Sequence, residues 1–323
     1  MRTPAVCDGT PPEGMKPFGI ATFLLCMLVA GFPAATPVQA ANAFHFSTGD
    51  PDGKIATASR PGPSSGANQE TESGDDFTLN GPETLIEHAT FIGLVPIGVS
   101  VPSDINEVRV EIYRVFPKDS DTSRTSGPPT FSTSQVPTRV NSPADVELDD
   151  RDSAAGTLTF TATVLDGAFP ALNSVDLGIH PKNSQTTGGD GAVRGQEVLF
   201  DVTFLKPFDL PFDHYFFIPQ VLLSDPDDHF LWLSAPKPIV SPGTPFTPDL
   251  QSWIRNASLD PDWLRVGTDI VGSGAFNAAF SLDGTTKVQA PVLSRMGLAV
   301  LVVLLGGVVP VVVGLRRRHA TTG

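Results

Sequence analysis

Two acidic stretches carry the side chains best suited to binding a metal ion. Asp50 and Asp52 belong to the sequence Asp-Pro-Asp-Gly, and Asp75 and Asp76 are adjacent further along the chain. Calcium takes about six to eight oxygen ligands, which acidic loops can supply. These four carboxylates are therefore a candidate calcium site, although Asp-Pro-Asp-Gly is also a preferred turn sequence and no EF-hand spacing is present. Calcium is the one cofactor that the sequence suggests.

Two tryptophans are the candidate ligand-binding residues. Trp253 and Trp263 lie in a loop-like segment, and exposed aromatic rings stack on sugars in carbohydrate-binding modules. The alternative is that both belong to a core, where tryptophan in a β-sandwich is more often found. Extracellular polysaccharide is thus one candidate partner.

The chain contains no recognisable catalytic motif. Neither His-Glu-x-x-His nor Gly-x-Ser-x-Gly occurs, so the usual zinc-hydrolase and serine-hydrolase signatures are missing. Two facing carboxylates could still serve a glycosidase, which keeps a secreted hydrolase as the least favoured alternative. We predict that the protein is not an enzyme.

The charge of the central region excludes one class of partner. Residues 41–290 contain 15 basic and 33 acidic side chains, a net charge of −18. Such a surface repels nucleic acid. Both cysteines, Cys7 and Cys26, precede this region, so its fold must be stable without disulfides.

The N-terminus has the organisation of a secretory signal peptide. Lys16 precedes the apolar run Phe18–Ala30, and small residues precede a cleavage position after Ala40 in Val38-Gln39-Ala40. A basic start, a short apolar core and a small-residue cleavage site define such a leader. We predict that residues 1–40 are removed on export.

The C-terminus has the organisation of a membrane anchor. Gly297–Leu315 contains no charged residue and is followed at once by Arg316, Arg317 and Arg318. A helix of this length spans about 28 Å, close to the hydrocarbon thickness of a bilayer. The arginines predict a cytoplasmic end by the positive-inside rule, which leaves the acidic region outside the cell.

The residues just before this anchor resemble a bacterial sorting signal. Pro291, Leu293, Ser294 and Gly297 match in register the pattern Ile-Pro-Thr-Leu-Ser-x-x-Gly of the IPTL-CTERM signals, which are relatives of the PEP-CTERM signals. Ala290, Val292 and Met296 depart from that pattern. The resemblance implies a membrane sorting enzyme of the exosortase type as a partner, which cleaves near Pro291 and re-anchors or releases the exported part. The segments Glu111–Asp121 and Asp262–Asp269 resemble uncharacterised secreted bacterial proteins, and no activity comes with that resemblance.

The central region has the pattern of antiparallel β-structure. Within Asn106–Phe116, Val108, Val110 and Ile112 alternate with Arg109, Glu111 and Tyr113, and Thr157–Val164 and Glu197–Leu205 alternate in the same way. Period-two patterning with one polar face is typical of half-buried strands. Further candidate strands are Asp76–Leu79, Thr84–Val95, His214–Ser224 and Phe230–Ser234.

These patterns predict an all-β fold for residues 41–290: an antiparallel two-sheet sandwich of jelly-roll or immunoglobulin-like kind, with long loops. One C-terminal transmembrane helix follows within residues 291–323. A long polar segment, 117–156, offers the alternative that the sandwich region divides there into two subdomains. The predicted function is that of an exported, C-terminally anchored and sorted surface or matrix protein, with a calcium-containing carbohydrate-binding module as the alternative.

Overall fold

The computed structural model describes residues 42–62, 70–81, 83–124, 139–176, 179, 187–272 and 274–287, all within the unit Ala41–Gly323. The predicted signal peptide and the predicted sorting motif, membrane helix and basic tail lie outside these residues. The strands are β1 (Asn42–Ser47), β2 (Ile55–Ala58), β3 (Thr71–Thr78), β4 (Thr84–Val95), β5 (Ile105–Arg114), β6 (Asp149–Asp152), β7 (Leu158–Ala171), β8 (Asn173–Val175), β9 (Val193–Leu210), β10 (His214–Leu223), β11 (Leu231–Ala235), β12 (Trp253–Asn256), β13 (Leu264–Arg265), β14 (Asn277–Ala278) and β15 (Phe280–Thr286).

Helical structure in the described ranges is limited to two short turns. A 3-10 turn covers Thr122–Arg124, and a π-helical turn covers Val266–Val271. None of the helices described is long and apolar enough to span a bilayer.

The strands form two sheets. The larger sheet has nine strands. Six of them follow the order β1-β15-β4-β11-β2-β8. In addition, β9 pairs with β4, β7 pairs with β9, and β14 pairs with β11. The smaller sheet has the order β13-β12-β3-β10-β5-β6. Neighbouring strands are antiparallel, apart from the parallel pair β2–β8. The predicted all-β fold with two largely antiparallel sheets is confirmed, and β5, β7 and β9 occur where the alternating patterns indicated strands.

Aromatic side chains from both sheets fill the core between them. Phe91 on β4 stacks on Phe200 of β9, with ring centroids 4.8 Å apart and planes 4° from parallel. Phe217 on β10 stacks on Phe280 of β15 across the two sheets, at 5.0 Å. Rings of this size bury a large apolar area, so a core built from them stabilises the sandwich without disulfides.

The smaller sheet is also covered on its outer face. Tyr113, Phe216, Ile218, Leu250, Trp253 and Trp263 form a second buried cluster there with Ala144. Strand β10 is therefore buried on both sides, which explains its nearly continuous apolar sequence. The loops around 139–148, 250–252 and 257–263 form this outer layer.

Strand pairing connects the parts of the chain on both sides of 117–156, the segment at which two subdomains were the alternative. Strand β6 lies within that segment and pairs with β5, which precedes it. Strand β3, which also precedes the segment, pairs with β10 and β12, which follow it. Hydrogen-bonded neighbours thus come from both sides of the segment, so one sheet cannot be divided there.

Candidate functional site

The four aspartates predicted to bind calcium occupy two different places. Asp50 and Asp52 lie in the connection between β1 and β2, whereas Asp75 and Asp76 lie within β3. Asp52 Oδ1 accepts hydrogen bonds from the Ser234 hydroxyl at 2.5 Å and the Lys54 amide at 3.0 Å. Lys54 Nζ also lies 2.9 Å from Asp52 Oδ2. Asp52 is therefore already engaged by neighbouring protein groups.

Asp75 and Asp76 are buried in the sandwich and hold other segments to β3. Asp75 Oδ2 accepts the amide of Ala278 at 2.8 Å, and Asp76 Oδ2 accepts the amide of Leu250 at 3.1 Å and lies 2.6 Å from His214 Nε2. Burial raises the pKa of both carboxyl groups, that of Asp75 far above its usual range because Asp76 is also near. Buried carboxyl groups that are already engaged by backbone amides and His214 are poorly placed to bind calcium.

The structure does not bring these four residues together as a metal site. In the described ranges, no group of three or more His, Cys, Asp or Glu side chains is placed to hold a metal ion. Asp75 and Asp76 lie in β3, and both side chains are buried in the protein interior.

The two predicted sugar-stacking residues are also buried. Trp253 is 1% exposed and Trp263 is 2% exposed, so neither presents a ring face to solvent. Trp263 Nε1 donates to the carbonyl of Ala144 at 3.0 Å, and the Arg255 guanidinium lies 4.3 Å above its ring. The expectation of exposed aromatic platforms is wrong, because the outer layer on the smaller sheet covers both rings.

Beneath Trp263 lies a buried polar cluster, the Arg255 cluster, formed by Glu72, Glu111, Tyr113 and Arg255. Arg255 binds both carboxylate oxygens of Glu72, through Nη2 to Oε1 at 3.0 Å and through Nε to Oε2. Arg255 Nη2 also donates to the Tyr113 hydroxyl at 2.8 Å, and that hydroxyl donates to Glu72 Oε1 at 2.9 Å. The cluster joins β3, β5 and β12.

The fourth member of the Arg255 cluster is held as a neutral acid. Burial, followed by the nearby carboxylates Glu72 and Glu147, raises the pKa of Glu111 to about 9. Glu111 Oε2 lies 3.3 Å from the Tyr113 hydroxyl. The same hydroxyl donates to Glu72 Oε1 at 2.9 Å, so its single hydrogen is shared between the two carboxyl groups. The shared hydroxyl thus links an ion pair to a neutral carboxylic acid.

An acidic pocket of about 280 Å³ opens above the Arg255 cluster. Its further lining residues are Glu70, Arg109, Glu147, Ala257 and Asp260. Burial raises the pKa values of Glu70 and Glu147 as well. Glu72 is neutralised by Arg255, and Glu111 retains its proton. Both inner carboxyl groups are thus engaged by internal contacts, and the cluster fastens three strands together.

A second cleft, with a volume of about 490 Å³, lies beside Trp253. Its two cations are satisfied internally: Lys237 Nζ contacts Asp249 Oδ1 at 2.5 Å, and Arg265 Nη2 contacts Asp269 Oδ1 at 2.6 Å. Trp253 Nε1 and Gln251 Oε1 are buried without a hydrogen-bond partner among the described residues. Because both cations are paired with carboxylates, the cleft has little net charge.

Sequence reasoning missed the Arg255 cluster although part of its signal was visible. Glu111 and Tyr113 lie on the polar face of the alternating strand β5, a face that usually meets water. The neighbouring sequence of β3, with Glu72, Asp75 and Asp76, is unusually acidic for a central strand. Strand β3 lies between β12 and β10. Acidic residues on such a central strand indicate a buried polar network.

No protein-family model matches this chain, and no curated protein or solved structure is significantly similar to it.

Proposed function

We propose that this chain is an exported, non-catalytic surface or extracellular-matrix protein. In this proposal a signal peptide directs export, a C-terminal helix holds the chain in the membrane, and an exosortase-like enzyme then processes it near Pro291. The acidic sandwich, of jelly-roll or immunoglobulin-like kind, is the part displayed outside the cell.

The position of the folded strands supports this proposal. Strand β1 begins at Asn42, two residues after the predicted cleavage position, and β15 ends at Thr286, shortly before Pro291. These two strands pair directly, with Asn42 opposite Thr286. Removal of residues 1–40 and cleavage near Pro291 would therefore leave every described strand intact, as processing of a displayed domain requires.

The absence of an ionised catalytic arrangement in the acidic pocket favours a role without catalysis. Glu72 is paired with Arg255 and Glu111 retains its proton, so the best-placed carboxyl pair is occupied by internal contacts. The surface charge then serves solubility and repulsion of other acidic surfaces.

The test of this proposal is processing in a bacterium that has a sorting enzyme. We expect the mature wild-type chain to begin near Ala41 and to lack the segment from near Pro291 onward, as measured by mass spectrometry. Pro291→Ala should leave the C-terminal segment attached. Val292→Ala is the matched control, because Val292 already departs from the sorting pattern, and it should be processed normally.

Membrane anchoring is tested separately. A charge at the centre of a membrane helix costs about 2.5–3.5 kcal/mol on insertion scales, so Val308→Asp should release unprocessed protein, whereas Val308→Leu should not. Surface-exposed wild-type protein that still carries Arg316–Arg318 would show a permanent anchor and refute sorting.

Carbohydrate binding is a second candidate function, favoured by the cleft beside Trp253. Its lining includes Asn141, Gln251 and Thr268 beside Trp253. Uncharged hydrogen-bonding groups beside an aromatic residue suit a neutral, hydroxyl-rich ligand. Binding to a glycan array that is weakened by Trp253→Phe and kept in Trp263→Phe would support it, and the absence of glycan binding by the wild-type protein would exclude it.

A further inference from the structure

The long strand β7 is an unprotected edge of the larger sheet. Within the described ranges it pairs on one side only, with β9. Its opposite side presents backbone N–H and C=O groups that no described strand engages. Such an edge is a template for another strand, and native proteins normally blunt it with charge, proline, a bulge or short length.

Among the described strands, three other sheet edges are blunted by charge or by short length. Strand β6 consists of four charged residues, β8 has three residues and β13 has two. Strand β1 is a further edge, but it has only six residues. By contrast, β7 has 14 residues, and its first eight, Leu158–Leu165, contain no charged side chain and no proline. The register shifts of its pairing with β9 occur only after Val164.

The side chains of this stretch are self-complementary. Thr159, Thr161 and Thr163 are exposed on one face. On the other face Phe160 and Ala162 pack only partly against the core, and Val164 remains 40% exposed. Neighbouring apolar side chains across a new strand pair would complete the burial of this second face.

We propose that β7 pairs antiparallel with β7 of a second copy of this chain, centred on Thr161, so that two larger sheets become one. About a two-fold axis at Thr161, Thr159 faces Thr163, Phe160 faces Ala162, and Leu158 faces Val164 of the other copy. Threonine pairs and apolar pairs directly opposite each other stabilise antiparallel strands. The same patch serves both copies, as a closed two-fold dimer requires.

Electrostatics sets a condition on this dimer. The chain has a net charge of −14, so two copies repel each other at low ionic strength, while the contacting strands themselves carry no charge in Leu158–Leu165. Because salt screens long-range repulsion between surfaces, added salt should strengthen this dimer. An association based on opposite charges would instead become weaker when salt is added.

The first test is the mass of the full-length protein, purified in mild detergent, by light scattering after size-exclusion chromatography. We expect twice the monomer mass, which is at most 34.1 kDa, and a larger dimer fraction in high salt. Thr161→Lys places two like charges opposite each other and should abolish the dimer. His45→Lys adds the same charge to the edge strand β1 and should leave the dimer unchanged. A wild-type monomer at all salt concentrations, or a dimeric Thr161→Lys protein with a native circular dichroism spectrum, overturns the proposal.

A crosslinking test does not depend on a disruptive substitution. In a chain carrying Cys7→Ser and Cys26→Ser, Thr161→Cys should form a disulfide-linked dimer on mild oxidation, because the two cysteines are then directly opposite. Thr159→Cys alone should not, since its two copies would lie about 13 Å apart along the strands, but it should crosslink to Thr163→Cys in a mixture. Efficient crosslinking of Thr159→Cys with itself, or none at Thr161→Cys, would refute this register.

Discussion

Glu72 and Arg255 lie directly opposite each other on β3 and β12 and form an ion pair whose two side chains are each 6% exposed. The guanidinium also donates to the carbonyl of Asp145 at 3.1 Å and lies above the ring of Trp263. Burial alone would lower the pKa of Arg255, but attraction to the Glu72 carboxylate holds it above its usual range. One side chain thus fastens the outer layer to the smaller sheet.

Removing Arg255 should therefore destabilise the fold strongly. Arg255→Met leaves the Glu72 carboxylate buried without a partner, and breaking such a pair costs about 3–5 kcal/mol. Chemical denaturation should show this decrease in the free energy of unfolding. The double variant Glu72→Leu with Arg255→Met removes both charges and should recover part of the loss.

The matched control for Arg255→Met is Lys287→Met. Lys287 contacts Glu83 and Asp209 at the surface, where ion pairs contribute little. We expect an almost unchanged free energy of unfolding. Equal losses in Lys287→Met and Arg255→Met would refute the assignment of a special role to the buried pair.

Glu111 should make the stability depend on pH. Its pKa is raised from 4.5 to about 9 by folding, so between these values the folded protein holds a proton that the unfolded chain has released. The free energy of unfolding then falls as pH rises, by at most about 1.4 kcal/mol per pH unit for one group. The stabilisation is complete below the unfolded pKa and is lost as pH rises through the folded one.

Glu111→Gln tests this dependence because it keeps a neutral, hydrogen-bonding side chain. Denaturation measured between about pH 5 and 8 should give a flatter profile than the wild type, with a residual slope from the buried Asp75. Asp201→Asn, at an exposed position on β9, is the control and should keep the wild-type slope. An unchanged slope in Glu111→Gln would exclude a retained proton on Glu111.

Gly93 is required by the close approach of β4 and β11. A Cβ atom there would lie 2.2 Å from Phe230 Cε2 and 2.7 Å from the Leu231 carbonyl oxygen. Because backbone atoms cannot yield cheaply, Gly93→Ala should lower the free energy of unfolding by about 1–3 kcal/mol, the usual cost of overpacking. At Gly167 an added Cβ meets no atom within 4 Å. An equal decrease in the free energy of unfolding in Gly167→Ala and Gly93→Ala would therefore contradict this explanation.

Calcium should leave the melting temperature unchanged. A ligand that binds only the folded state raises it by mass action, but Asp52 is paired with Lys54, and burial raises the pKa of Asp75 far above its usual range. Melting curves in calcium and in chelator should coincide. A higher melting temperature in calcium, lost in both Asp52→Asn and Asp75→Asn, would instead support the predicted calcium site.

Local pattern predicted the longer strands well and the shorter ones poorly. The alternation in Asn106–Phe116 and Thr157–Val164 identified β5 and β7, because burying one face of a sheet requires period two. The uninterrupted β-prone run Thr84–Val95 coincides with β4. Strands β12, β13 and β14 have two to four residues, too few to show a period, and β12 and β14 pair with the distant strands β3 and β11.

The sequence by itself determined which side chains share a face of each strand: Arg109, Glu111 and Tyr113 on one side of β5, and Val108, Val110 and Ile112 on the other. Only the tertiary structure decided that the polar face would also be buried, since the loops around 139–148 and 257–263 cover it. The same loops buried Trp253 and Trp263, and the pairing of β12 with β3 brought Arg255 to Glu72. The physical reason is that alternation follows from the geometry of one strand, whereas burial depends on which distant segment packs against it, and no local pattern encodes that contact.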